Sequence, residues 1–432
     1  TFTGRNDWVS TLPQEDRSFF YPSVSGAYLF SEDIASESTI LSFGKLRASW
    51  AEVGKGPGFG DSGHYFVADG DFPFDGVGGF RSSTSTGLNL VPERTRTWEV
   101  GTDLRFFKNR LRFDYSYFTS KVNNQIFDVN MAYSTGLSSV TRNAGDYKNW
   151  GHELLVSGDV VKTDDLNVEL VYNFSTTEGE VIDLPDDVES VTFASDGAPE
   201  LYLRVKEGDK MGSLYGYNWT YVDGELFINS EGYPEIDDSE GYVIVGNALP
   251  DFIMSLGTNI KWKNLGLNFL VEWKEGGDKY SWARRNMIRN GTSKVTEYRN
   301  IDDYVFDGVM EDPNSPGTYV PNTTPTAYGL DESYYRSWTY FTGAAENYLQ
   351  DASWVKLRSI GLSYDFTQLF GKKDLFDNLV FSVSANNILL WTPYDGYDPE
   401  GSAYSAGSNI YGFSGKGIPL TESYSMGLKI GF

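Results

Sequence analysis

The 432 residues carry 35 Lys and Arg against 60 Asp and Glu, a formal net charge of −25, which argues against a nucleic-acid partner because phosphate binding needs a basic surface. They are 40% hydrophobic and 16% aromatic, yet no apolar run reaches the roughly 18 residues of a membrane-spanning helix, so a helical membrane protein is excluded. Cysteine is absent and histidine is limited to His64 and His152, which removes disulfides and thiolate metal sites and leaves little for imidazole chemistry.

The chain begins at Thr1, without Met, inside a strand-like segment, and is read as a mature or partial chain. Period-two alternation then recurs along its length. Trp98, Val100, Thr102, Leu104 and Phe106 share one strand face, with Glu99, Gly101, Asp103 and Arg105 on the other. After Phe107-Lys108-Asn109-Arg110 the pattern resumes with Leu111, Phe113, Tyr115 and Tyr117. A second hairpin places Leu154, Val156, Gly158 and Val160 before a turn at 162–165, and Leu166, Val168, Leu170, Tyr172 and Phe174 after it. A third runs through Phe252, Met254, Leu256, Ile260 and Trp262, turns at Lys263-Asn264, and returns through Leu265, Leu267, Phe269, Val271 and Trp273.

About a dozen strands result, at 1–10, 18–30, 41–53, 95–106, 110–121, 149–161, 166–178, 251–262, 265–274, 351–366, 379–390 and 419–432. Many approach the roughly 9 to 11 residues that cross a bilayer when tilted. Short links at 31–40, 107–109, 162–165, 263–264 and 367–378 alternate with long ones at 54–94, 122–148, 179–250, 275–350 and 391–418. The link 11–17 breaks the rule, being short on the long side. This is the pattern of an all-β transmembrane antiparallel barrel with long extracellular loops and periplasmic turns. Trp8, Trp50, Trp98, Trp150, Trp262, Trp273, Trp354 and Trp391 lie near strand ends, as an interfacial aromatic girdle requires. In the last strand Tyr424, Met426, Leu428, Ile430 and Phe432 alternate with small or polar residues, an aggregation hazard in water.

No enzyme emerges. Gly58-Phe59-Gly60-Asp61-Ser62-Gly63 fits a G-x-G-x-x-G pattern but lacks the strand and helix that a nucleotide site needs. Acid clusters at Glu235, Asp237, Asp238 and Glu240, at Asp302 and Asp303, and at Asp395, Asp398 and Glu400 could ligate calcium. None has EF-hand spacing, and they are read as solvated loop charge. No two carboxylates stand out as a glycosidase pair, and no nucleophile elbow, zincin motif or P-loop is present. The long loops do mix aromatics with hydrogen-bonding groups, at Tyr215, Tyr217, Trp219 and Tyr221 and at Tyr334, Tyr335, Trp338 and Tyr340. Flat rings with polar neighbours suit sugars or peptides, while loops this long also need rings to pack on themselves.

Several segments resemble the SusC-like (RagA-like) TonB-dependent outer-membrane transporters of Bacteroidota. They are Thr3–Trp8 with Ser18–Ser25, Lys45–Trp50, Pro92–Thr95 with Trp98–Gly101, Asn143–Gly145, Asp351–Arg358 and Gly396–Glu400, in order along the whole chain. The resemblance implies that residues 1–432 are the C-terminal part of a barrel of about 22 strands, with the plug and N-terminal domains lying outside this chain. It further implies import of a bulky oligosaccharide or oligopeptide, a SusD-like surface lipoprotein as lid, the TonB-ExbB-ExbD complex acting through the missing part, outer-membrane lipid around the barrel, and no cofactor. A siderophore-type receptor, or a structural or docking barrel of a surface or secretion assembly, remains an alternative. The family also implies that the terminal aromatic strand, with Tyr424 and Phe432, is the barrel-assembly signal. Deleting Phe432 is accordingly expected to lower outer-membrane levels on immunoblots of membrane fractions; unchanged levels would refute that role.

Overall fold

The computed structural model describes every residue except 34–37, 60, 62–65, 70–78, 83, 84, 87, 88, 136, 138, 197–200, 298, 300, 331–333, 338, 371–376, 405–409, 416, 417 and 432. Twelve strands follow one another in a single antiparallel sheet, each paired with the next in the chain. They are β1 (Phe2–Trp8), β2 (Ser18–Tyr28), β3 (Leu41–Lys55), β4 (Glu93–Phe106), β5 (Leu111–Asn123), β6 (Asp146–Lys162), β7 (Leu166–Asp183), β8 (Pro250–Trp262), β9 (Leu265–Gly276), β10 (Trp354–Asp365), β11 (Asn378–Trp391) and β12 (Ser423–Gly431). Every strand expected from the alternation is present. The all-β antiparallel architecture is therefore the one the periodicity predicts, with β6 and β7 running longer than expected.

Register explains the alternation. Leu104 faces Phe113, and the row continues across neighbouring strands through Val156, Tyr172, Leu256, Val271, Leu357 and Leu389. One residue along each strand, on the opposite face, Lys45, Asp103, Asp114, Leu155, Asn173, Ser255, Glu272 and Lys356 form a mostly polar row. The apolar row is left open: Leu256 is 41% and Leu389 46% exposed. An apolar face spread over so many strands would be untenable in water, whereas hydrocarbon outside and polar groups inside are what a membrane barrel requires.

The aromatic belt is mostly where the strand ends put it. Trp50 opposes Trp98, which opposes Thr119, which opposes Trp150, one level across β3 to β6. Trp262 stands at the other rim beside its two-residue turn. Trp354 departs from the belt: it is 4% exposed and lies against the luminal cations Lys356 and Arg358. A bulge between Asp159 and Val161 gives Val161 the place opposite Val168 that alternation assigns to Val160.

The sheet does not close on itself, since β1 and β12 each pair along one edge within the described residues. The long connections leave from the same rim. Three of them, 184–249, 277–353 and 392–422, share an apolar core in which Leu201, Leu214, Tyr280, Ile288, Tyr335 and Tyr348 are at most 1% exposed. The barrel wall thus leans on backbone pairing and its surroundings, and the loops on ordinary burial. Leu256→Arg, facing outward, is expected to cost about 2–4 kcal/mol in urea unfolding of the full-length receptor in lipid vesicles. Ser255→Arg, facing the lumen, should change stability much less, and equal effects would contradict the assigned faces.

Candidate functional site

Two long connections, 184–249 and 277–353, meet above the rim through their polar aromatic groups. The Trp219 indole donates to Asn347 (3.3 Å), Tyr221 to Glu346 (2.9 Å), Tyr340 to Glu231 (2.7 Å) and Tyr233 to the Ala327 carbonyl (2.7 Å). The Tyr233 ring stacks on Tyr340 at 4.2 Å and faces Tyr334 at 6.3 Å. The two aromatic sets singled out in the sequence are therefore parts of one body.

Within it their positions differ. Tyr215 is buried and donates to Asp209 (2.6 Å), so burial first and that carboxylate second push its phenol far above the ordinary range. Tyr217 is half-buried, its ring against Tyr242 and its carbonyl accepting from the Ala345 N–H (2.8 Å). Trp219 and Tyr334 are buried, and Tyr335 is fully enclosed, donating to the Val295 carbonyl (2.7 Å). Trp338 and Phe432 lie outside the described residues, while Tyr424 is exposed on β12 and donates to Glu422 (2.9 Å). Among the described loop tyrosines the most open rings are Tyr221, Tyr319, Tyr397 and Tyr411, each about half or more exposed.

A buried ion cluster anchors the third long connection, 392–422, to the barrel wall. Lys356 donates to Asp398 (2.9 Å) and to Glu400, and Arg358 grips Glu400 with both terminal nitrogens (2.7 and 2.5 Å) while its Nε donates to Glu272. The side chains of Lys356 and Asp398 are 4% and 6% exposed, so this pair has left water. Arg358 is the extra residue of a bulge: Ser359 pairs with Leu270 and Leu357 with Val271, which aims its guanidinium into the lumen. The Glu400 and Leu420 N–H groups also donate to Asp398 (2.9 and 3.2 Å), and Lys279 donates to the Gly401 carbonyl (2.8 Å). Asp398 and Glu400 are thus structural counter-ions, not the solvated charge expected of their cluster. Alternation marks Lys356 as luminal, but its partner lies 42 residues away, beyond the reach of local pattern.

Electrostatics follow this geometry. Burial alone would raise Asp398 and Glu400, but the N–H of Glu400 and the ammonium of Lys356 on the first, and Arg358 and Lys356 on the second, outweigh it and hold both below the usual carboxylate range. Burial, with Lys274 nearby, pulls the Lys279 ammonium down to about 8. Further along the wall, Arg47 donates to Asp114 (2.7 Å) and Ser116 (2.5 Å), and Arg112 to Asp114 (2.8 Å). The lumen is lined with paired charge. Among the described residues no three carboxylates or imidazoles converge as a cation site.

The family model described as "TonB dependent receptor-like, beta-barrel" matches residues 1–388. TonB-dependent receptor P3 of Formosa agariphila is 24% identical over 469 residues, covering 100% of this chain and 44% of its own length. TonB-dependent receptor SusC of Bacteroides thetaiotaomicron is 23% identical over 454 residues, covering 100% of this chain and 42% of its own length. The chain spans less than half the length of these curated relatives. A solved structure of the RagAB peptide importer in its closed-closed state matches with a TM-score of 0.73 at 20% identity, over 99% of this chain and 45% of that one. At that identity the likeness establishes the fold.

Glu400→Gln would leave Lys356 and Arg358 each with one carboxylate. Removing one charged acceptor in this way is expected to lower the docking stability of 392–422 by about 1–2 kcal/mol, read as faster hydrogen exchange there with β4 to β8 unchanged. Because Asp398 and Glu400 have lowered values, their contribution is complete at neutral pH and is lost as pH falls through them, below about 4. Loss of protection already near pH 6 would contradict the assignment.

Proposed function

Because the chain belongs to the TonB-dependent receptor family through its β-barrel, we propose that it is the C-terminal barrel portion of an outer-membrane importer for a bulky nutrient, an oligosaccharide or an oligopeptide. The observation that carries this reading is the division of labour in the molecule: an apolar outer wall, a charge-lined inner wall, and long connections with their own core gathered at one rim. A diffusion pore has no use for so large a folded loop body. A receptor that must hold cargo before passing it inward does.

In this reading the loop rim faces outward from the cell, the short turns and the end of β12 face the periplasm, and a SusD-like lipoprotein covers the loops. Strands outside this chain pair with the free edges of β1 and β12, since an open edge is not viable in hydrocarbon. A plug, also outside this chain, fills the lumen and is pulled by the TonB-ExbB-ExbD complex. Cargo is moved without covalent chemistry. Tyr217, the least enclosed of the described ring candidates, touches cargo together with Tyr221 and Tyr397; Tyr215, Trp219, Tyr334 and Tyr335 hold the frame that presents them.

Deleting the gene is expected to abolish growth on one class of oligosaccharide or oligopeptide and to spare growth on the corresponding monomers. Unimpaired growth on every oligomer, accompanied by loss of a surface protein from the cell envelope, would favour a docking barrel and overturn the importer reading.

A further inference from the structure

The loop helix Trp282–Arg289 carries three arginines on a chain of net charge −25. Arg285 is nine-tenths buried, and its Nε is sealed from solvent with no hydrogen-bond partner. Among the described residues no carboxylate pairs with it. Arginine cannot lower this cost by releasing its proton, so an interior guanidinium is stable only when an acceptor reaches it. Arg289 lies one turn further along on the same side of the helix. Arg336 donates through its Nε to the Arg289 carbonyl (3.0 Å), bringing a fourth cation to the helix end.

One carboxylate among the described residues answers this group. Asp395 accepts from Arg284 (2.5 Å), and its own side chain is 80% exposed, so the Arg284 end of the cluster borders open solvent. Tyr348 packs beneath. Burial pushes its phenol up to about 12, and the nearby Thr342 hydroxyl first, then Arg285, Arg289 and Arg284, oppose that rise. That hydroxyl lacks a hydrogen-bond partner, the neighbouring Thr342 hydroxyl being turned to the Tyr335 carbonyl (3.0 Å). Donors outnumber acceptors here.

We propose that Arg285, flanked by Arg284 and Arg289, is a binding site for a carboxylate of the imported oligomer. This rests on the importer reading and sharpens it to an acidic cargo. A guanidinium presents parallel N–H groups that match a carboxylate, and a strongly acidic protein must concentrate positive charge locally to hold an anion against its overall field. The carboxylate can come from a uronic-acid oligosaccharide or from an acidic oligopeptide; the site chemistry is the same.

The test uses the purified full-length receptor and calorimetry with an oligogalacturonate, its methyl ester, an oligoglutamate and the matching oligoglutamine peptide. One acidic probe is expected to bind at least about tenfold more tightly than its neutral counterpart, and which one identifies the source. Arg285→Gln should erase that preference and Arg285→Lys should keep part of it, with heat-modifiable gel mobility reporting that the barrel is intact. Should Arg285→Gln fail to fold, the half-buried Arg289→Gln is expected to weaken acidic binding while sparing the neutral probe. Equal affinity for acidic and neutral probes, no binding of either acidic probe, or a preference untouched by these variants would overturn the site. Growth of the deletion strain on the whole panel of oligomers, neutral as well as acidic, separately decides whether the importer reading stands.

Discussion

A strand that crosses hydrocarbon must pair its backbone with neighbours and turn an apolar face to the lipid, because nothing in the membrane interior can satisfy an unpaired N–H or carbonyl. Everything else in this molecule is arranged around that requirement. The row from Leu104 through Leu256 to Leu389 meets it on one face, and this frees the opposite face for Asp114, Glu272 and Lys356. Since the wall has no packed interior of its own, the enclosed apolar residues collect in the long connections, where Tyr280, Tyr335 and Tyr348 are almost fully buried.

The ion cluster at Lys356, Arg358, Asp398, Glu400 and Glu272 is where the two halves of this design meet. Buried ion pairs contribute little net stability compared with apolar packing, but they penalise every arrangement that leaves one partner alone. That property suits an anchor. It fixes 392–422 against the luminal wall in one register, and the bulge at Arg358 supplies the aim that regular strand geometry would not. Trp354, drawn out of the aromatic belt, completes the anchor by packing at 4.6 Å from the Arg358 guanidinium.

Strands were legible because period two is a local signal: Leu267, Phe269 and Val271 announce their face without reference to any other part of the chain. The parity of short and long links was legible for the same reason. Bulges were not, since one extra residue at Val160 or Arg358 leaves the composition of the strand unchanged. The loop chemistry was legible in kind but not in place. Tyr334 and Tyr335 read equally well as ligand rings or as core, and burial is decided by partners such as Phe306 and Tyr328 that no local pattern links to them. Asp398 looked like solvated charge because Lys356 is far from it in sequence. Arg285 carries no local signal; its interest is the absence of a described counter-ion, which a sequence cannot display.

The long connections are proposed to form a cargo-holding body on the cell surface, and the short turns to lie on the other side. These 432 residues contain no cysteine, so single probes can be placed cleanly. Glu240→Cys in the loop body and Asp164→Cys in the β6–β7 turn, both at exposed positions, should be treated with a membrane-impermeant maleimide on intact cells. Labelling is expected at position 240 on intact cells and at position 164 after permeabilisation alone; the reverse pattern, or equal labelling of both on intact cells, would overturn this orientation.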